Sequence, residues 1–215
     1  MDFPQYSSAE RFADGVVHIV GVTFGVVASA ILLTLAIEQS DITYAMGHGV
    51  YIFGILAMLV CSALYNMWWQ GPLKAFFRRL DHAAIFLAIA GTYTPFALIS
   101  IGGSFGQNLL IYVWSVATLG ILFKLIWPTR WEALSIAVYL LLGWTIVFAI
   151  DPLVAAVSME GFILLVAGGL LYSVGVIFYR WTSLPYQNAI WHGFVLAAAS
   201  CHFAVVIFDT ALKGQ

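Results

Sequence analysis

The chain has 215 residues, 63% of them apolar and only 8% charged, with a formal net charge of −2. A soluble domain carries about 25% charged residues, so this composition excludes an ordinary water-facing globule. The slight acidity excludes a nucleic-acid partner held by a basic face and leaves membrane lipids as the surroundings.

A helix that crosses a bilayer needs about 20 mainly apolar residues. In chain order, the first such run is 15–37 and the second 44–67. Between Asp81 and Lys124 lies a charge-free stretch twice as long as one span. Gly102-Gly103-Ser104 and Gly106-Gln107-Asn108 divide it into a third helix, 81–101, and a fourth, 107–126. The fifth runs 131–150 and is expected to stop at Asp151-Pro152. The sixth is 160–180, and the seventh is 187–208, beginning after Pro185. Lipid offers no partner for open backbone groups, so these must be helices. The expected fold is an all-α integral membrane bundle of seven transmembrane helices, one domain over 1–215.

The run from 15 to 37 is too long for the h-region of a cleaved signal peptide, and few cations precede it. Cys61 and Cys201 lie in apolar stretches and read as free thiols. Seven of the eight cations, Arg11, Lys74, Arg78, Arg79, Lys124, Arg130 and Arg180, fall on one side of this topology, with Lys74, Arg78, Arg79, Lys124 and Arg130 read as loop residues. Lys213 alone falls on the other. Positive residues stay inside, so the N-terminus is expected in the cytoplasm and the C-terminus outside, in a bacterial plasma (inner) membrane. Trp68, Trp69, Trp127, Trp131, Trp181 and Trp191 fall near the cytoplasmic ends, where an aromatic belt belongs.

Polar side chains in spanning helices are costly and usually functional. Glu10, Asp14 and His18 recur at i, i+4, i+8 and share a face of the first helix. Ser62 and Asn66 are so spaced on the second helix, and Asn188 and His192 on the seventh. Asp81 and His82 open the third. Four helices thus bring polar groups to one depth, which points to a shared cavity. The structural alternative is hydrogen bonding between helices, about 0.6 kcal/mol per bond, with Asp81 capping its helix. His48 and His202 read as structural histidines, and Gly21-x-x-x-Gly25 as a close-packing face.

At these residues the chain resembles the bacterial hemolysin III branch of the progestin and adipoQ receptor superfamily. The resemblance rests on Ser62-Ala-Leu-Tyr-Asn66, Leu80-Asp-His-Ala-Ala-Ile-Phe86, Gly91-Thr-Tyr-Thr-Pro-Phe96, Gly120-Ile-Leu-Phe-Lys-Leu125, Gly175-Val-Ile-Phe-Tyr179 and Ala189-Ile-Trp-His-Gly-Phe-Val195. It implies a zinc site at the cytoplasmic end, held by three histidines of a Ser-x-x-x-His and a His-x-x-x-His motif. It further implies an aspartate placed to work on zinc-bound water, and hydrolysis of an amide lipid. Carried onto this chain, Ser62 and Asp81 match, as do Glu10 and His18, and His192 is one of the three ligands. Asn66 and Asn188 stand at the other two, and Asp14 stands where the family signature has asparagine.

Catalytic zinc is typically held by three imidazole, thiolate or carboxylate ligands. Two amides in their place predict a weak or absent zinc site, with Asp14 and His18 as substitute ligands, or with Asp14 paired to His192 and no metal. The leading expectation is a lipid-responsive or membrane-homeostasis protein. The alternatives are a metal-dependent hydrolase of an amide lipid with Asp81 as base, and a proton or ion transporter using Glu10, Asp14, His18, Asp81 and His192. A serine nucleophile at Ser62 with a histidine base is a weaker enzyme reading. The family name evokes cytolysis, but a secreted pore former must first be soluble, and this chain is not.

Overall fold

The computed structural model describes residues 6–212, so Lys213 and its place in the charge pattern lie outside the described residues. Among these residues all regular structure is helical, and seven helical spans are long and apolar enough to cross a membrane. Helix α1 is Ser8–Glu38 and α2 is Ile42–Met67. Helix α3, Pro72–Pro95, continues as a π-helical turn, Phe96–Ile101, and α4 is Gly103–Ile126. Helix α5, Glu132–Gly143, passes through a 3-10 segment, Trp144–Ala149, into the short α6, Ile150–Ala156. Helix α7 is Met159–Arg180. Helix α8 is Gln187–Val206, ending in a π turn, Ile207–Ala211.

The spans extend beyond the apolar runs, and each extension has a local cause. Helix α1 begins at Ser8 because Ser7 and Glu10 form a capping box, each side chain accepting from the other's backbone N–H. Helix α3 begins at Pro72, whose missing N–H costs nothing in the first turn. Asp81 and His82 therefore do not open this helix; they lie nine and ten residues inside it, and Asp81 is no cap. Lys74, Arg78 and Arg79 are likewise helical rather than loop residues, because charge limits an apolar run but not a helix that projects past it. The same holds for Lys124, which sits in the last turn of α4 and is 1% exposed.

Two expected breaks also differ. Only Gly102 and Gly103 turn the chain between α3 and α4, both at positive φ (64° and 58°) that glycine adopts without strain. Gly106-Gln107-Asn108 is inside α4, where Gly106 lets the helix meet the Ala97 carbonyl. The fifth span does not stop at Asp151-Pro152, since a proline in the first turn of α6 loses no helical bond. The interruption comes earlier, at Trp144–Ala149. There the Tyr93 hydroxyl donates to the Gly143 carbonyl at 2.8 Å and accepts from the Ile146 N–H at 2.8 Å, satisfying backbone groups that the change of helix type releases.

The outer surface is apolar, with Phe148 88% exposed and Leu141 72%, as suits a lipid-facing wall. Helices α7, α8, α1, α2, α3 and α4 pack in that sequential order, and α5 leans more lightly on α3, α4 and α7. Trp69, Trp127, Trp131 and Trp181 are exposed near helix ends. Trp191 is not part of that belt; it packs inward against Gly175 and Tyr179. Cys61 and Cys201 are free.

Helices α2 and α3 also approach closely. A Cβ on Gly54 would lie 2.9 Å from the Leu87 carbonyl oxygen, and one on Gly91 would lie 3.1 Å from that of Val50. Backbone sits on backbone here, the contact that small residues permit between membrane helices. Gly21 and Gly25 play a softer version of this role, facing the Leu59 side chain of α2. Gly54→Ala is expected to lower stability by about 1–3 kcal/mol through overpacking. Gly49→Ala, with nothing within 4 Å of the added Cβ, is expected to be neutral or stabilising, because alanine is the better helix former. Thermal melts of the detergent-purified proteins measure the contrast.

Candidate functional site

The polar groups that the sequence placed at one depth meet on three helices. Asp14 and His18 come from consecutive turns of α1, Ser62 and Asn66 from α2, and Asn188 and His192 from the first turns of α8. The centre of the cluster is the Asp14 carboxylate, which is buried. His192 Nδ1 lies 2.6 Å from its Oδ1, and Asn188 Nδ2 donates to Oδ2 at 2.8 Å. His18 Nε2 stands 3.5 Å from Oδ2. Asn188 also donates to Asn66 Oδ1 at 3.0 Å, and Asn66 Nδ2 donates to the Ser62 carbonyl at 3.0 Å. The other nitrogen of His192, Nε2, lies 3.3 Å from Ser62 Oγ. An ionised carboxylate only accepts, so Nδ1 of a neutral His192 carries the proton and Nε2 faces Ser62 with a lone pair.

Glu10 does not join this cluster. Its carboxylate serves the capping box and accepts from the Tyr186 N–H at 3.0 Å, tying the start of α1 to the start of α8. Asp81 is close by on α3, where it offers the Ser62 hydroxyl a second acceptor. Of the two histidines read as structural, His48 Nε2 bonds Thr210 Oγ1 at 2.8 Å and His202 Nε2 meets the Leu165 carbonyl at 3.3 Å.

These groups border a cavity of about 470 Å³, within the range of small-molecule sites. His18, Ser62, Asn66, Asn188 and His192 form one wall, and Asp14 sits behind it. Asp81, Lys74, Arg78, Lys124 and Glu132 also reach the cavity. Its remainder is largely apolar, with Ile85, Ile89, Ile136, Leu140 and Val176. Three contributors were not anticipated from the sequence. Lys124 looked like a loop charge. Tyr93 looked like one more apolar aromatic. Tyr6 precedes the first apolar run, yet it lines both this cavity and the small pocket beside Asp14. Burial, with Tyr65 and Asp14 adding to it, pushes the Tyr6 phenol up to about 12, so it stays a neutral donor.

The donor set allows a test for a metal. Ligand atoms of Asp14, His18 and His192 all lie within 4.8 Å of one another. His18 Nε2 is buried and makes no hydrogen bond, with Asp14 Oδ2 3.5 Å away as the polar group it faces. Two imidazoles and a carboxylate fit a mixed nitrogen and oxygen site. Asp81 is not part of this group.

Comparison with known proteins places the chain in one family. The family model described as "Haemolysin-III related" matches residues 8–203. The chain is 37% identical to the "Hemolysin-3 homolog" of Bacillus subtilis (strain 168), covering 94% of this chain and 95% of that protein. It is 38% identical to "Hemolysin-3" of Bacillus cereus over 93% and 91%. A more distant likeness, 25% identical over 92% and 83%, is to the human "Monocyte to macrophage differentiation factor". No solved structure matches.

Asp14→Asn is expected to destabilise the fold by about 1–3 kcal/mol. It replaces an acceptor with a group that presents N–H to at least one of the donors now facing it, leaving buried polar atoms unpaired. Glu10→Gln, at a solvent-facing cap, should cost less. Chemical denaturation in one detergent ranks the two.

Proposed function

Since the chain belongs to the haemolysin-III-related family, we propose that it is a lipid-responsive multi-pass protein of a bacterial plasma membrane whose cavity takes up an amphiphile. In this reading the seven cations mark the cytoplasmic face, and the site lies just inside it. The observation that carries the proposal is the 470 Å³ cavity, lined by apolar side chains such as Ile85, Ile89, Leu140 and Val176 and bordered by the polar groups of His192 and Ser62. An acyl chain would lie against the former and its headgroup against the latter. Zinc is held weakly or not at all, because Asn66 and Asn188 stand where the family motif has imidazoles and Asp14 is already engaged by His192 and Asn188.

A second reading has its own support, a metal-dependent intramembrane hydrolase of an amide lipid. The clustering of Asp14, His18 and His192 favours it. Those three residues would hold the ion. A bound divalent metal lowers the pKa of its water toward neutrality and so supplies a nucleophile. Asp81, on the same cavity wall, is the carboxylate available to take a proton.

Metal content and ligand uptake separate the readings. Protein purified without chelators is expected to carry well under one metal per chain, while an Asn66→His, Asn188→His double variant approaches one. A brominated fatty amide is expected to quench Trp144 and Trp191, both cavity residues, in the unaltered protein. One metal per chain in the unaltered protein, lost on Asp14→Ala, would instead establish the hydrolase reading. Absence of quenching by any brominated amphiphile would reject the lipid cavity.

A further inference from the structure

The hydrogen bonds around His192 form a directed chain that neither reading uses. Asp14 Oδ1 holds Nδ1 at 2.6 Å, and Nε2 lies 3.3 Å from Ser62 Oγ. The geometry points to a serine acyl-transfer centre in this chain, with Ser62 as nucleophile, His192 as general base and Asp14 as the positioning residue, acting without a metal on the ester or amide of an acyl amphiphile. It rests on the cavity holding such an amphiphile.

Such a centre is recognised by geometry and roles rather than by chain order or surrounding motif. A carboxylate on the far nitrogen fixes the tautomer, so the near nitrogen presents a lone pair. A hydroxyl lies within reach of that lone pair; nucleophile–base distances slightly beyond about 3.2 Å are usual before substrate tightens them. The nucleophile must also face the substrate, and Ser62 and His192 both line the cavity while Asp14 does not. A donor is needed for the developing oxyanion. Asn66 Nδ2 donates to the Ser62 carbonyl at 3.0 Å and, more loosely, to Ser62 Oγ at 3.4 Å; the second N–H would shift to an oxyanion formed beside Oγ. Asn188 holds both Asp14 and Asn66, and so fixes the two ends of the array together.

The chemistry balances with water as the only co-reactant. Ser62 Oγ forms a bond to the acyl carbonyl carbon as its proton passes to His192 Nε2. The tetrahedral adduct collapses, the bond to the leaving nitrogen or oxygen breaks, and His192 returns its proton to that atom. Water then adds to the acyl-Ser62 ester with His192 again as base, releasing the carboxylic acid and restoring the hydroxyl. The Ser62 hydroxyl already lies within hydrogen-bond distance of His192 Nε2, at 3.3 Å.

A long-chain alkyl fluorophosphonate tests this directly, because Ser62 Oγ would displace fluoride and keep the phosphonyl group. The expected result is one adduct per chain, mapped by mass spectrometry to Ser62, and formed equally in chelator-treated full-length protein. Ser62→Ala should abolish it, and His192→Ala should slow it by about a hundredfold or more. Asp14→Asn should lower the maximal labelling rate at least tenfold without changing the half-saturating probe concentration, whereas a merely structural role would alter both. The wild-type adduct needs no variant, so a misfolded substitution leaves the test intact. No Ser62 adduct in protein that still binds the brominated amide would overturn the serine centre and spare the cavity. Failure of both would overturn the cavity as well. Labelling that disappears on chelation would overturn the metal-free assignment.

Discussion

A carboxylate buried inside a membrane helix bundle must be paired or it will not stay, and Asp14 is that group here. Its partners come from α8, through His192 and Asn188, while His18 approaches from its own helix. Asn188 carries the restraint on to Asn66 of α2. Along α1 the other contacts with α2 are largely apolar, as where Gly21 and Gly25 face Leu59. The Asp14 network joins the three helices at the depth of Ser62 and His192, which line one cavity.

The three departures from the family motif make physical sense as a set. The resemblance implies imidazoles at positions 66 and 188 and an amide at 14; this chain has amides at 66 and 188 and a carboxylate at 14. Imidazole lone pairs converge on a cation. Amide N–H groups converge on an anion. Asn188 donates to Asp14 in this way, while Asn66 accepts from Asn188 and turns its own N–H to Ser62. Each change alone would leave a buried group without its complement. In this chain the carboxylate and the amides complement one another inside the helical frame.

The spans were legible because charge-free length is a direct physical requirement of the bilayer. Their ends were not, since a helix may run on past the lipid. Pro72 and the Ser7–Glu10 capping box start α3 and α1 well before the apolar runs do, and this is what moved Asp81 from a cap to the helix interior. Spacing at i, i+4 was enough to put Asp14 with His18, Ser62 with Asn66 and Asn188 with His192. It could not say that Glu10, one turn before Asp14, would turn to the Tyr186 backbone instead. Nor could it find Tyr93, whose role depends on a 3-10 break in a helix 50 residues away in sequence. Partners across helices are set by packing, which a single sequence encodes only collectively.

One carboxylate oxygen cannot serve both chemistries at once. If Asp14 Oδ1 and His192 Nδ1 turn to a metal, the bond that orients His192 toward Ser62 is lost; while they face each other at 2.6 Å, a metal is left only Asp14 Oδ2, His192 Nε2 and His18. His18 is the residue that decides between them. In the metal reading it is a ligand. In the serine reading it has no place in the proton path and remains beside Asp14, its ring 4.4 Å from that of His192. The amides favour the second arrangement, because Asn188 already spends a donor on the very oxygen of Asp14 that His18 approaches. A metal would have to displace that bond as well as the His192 contact, and would recover only a neutral amide oxygen in return.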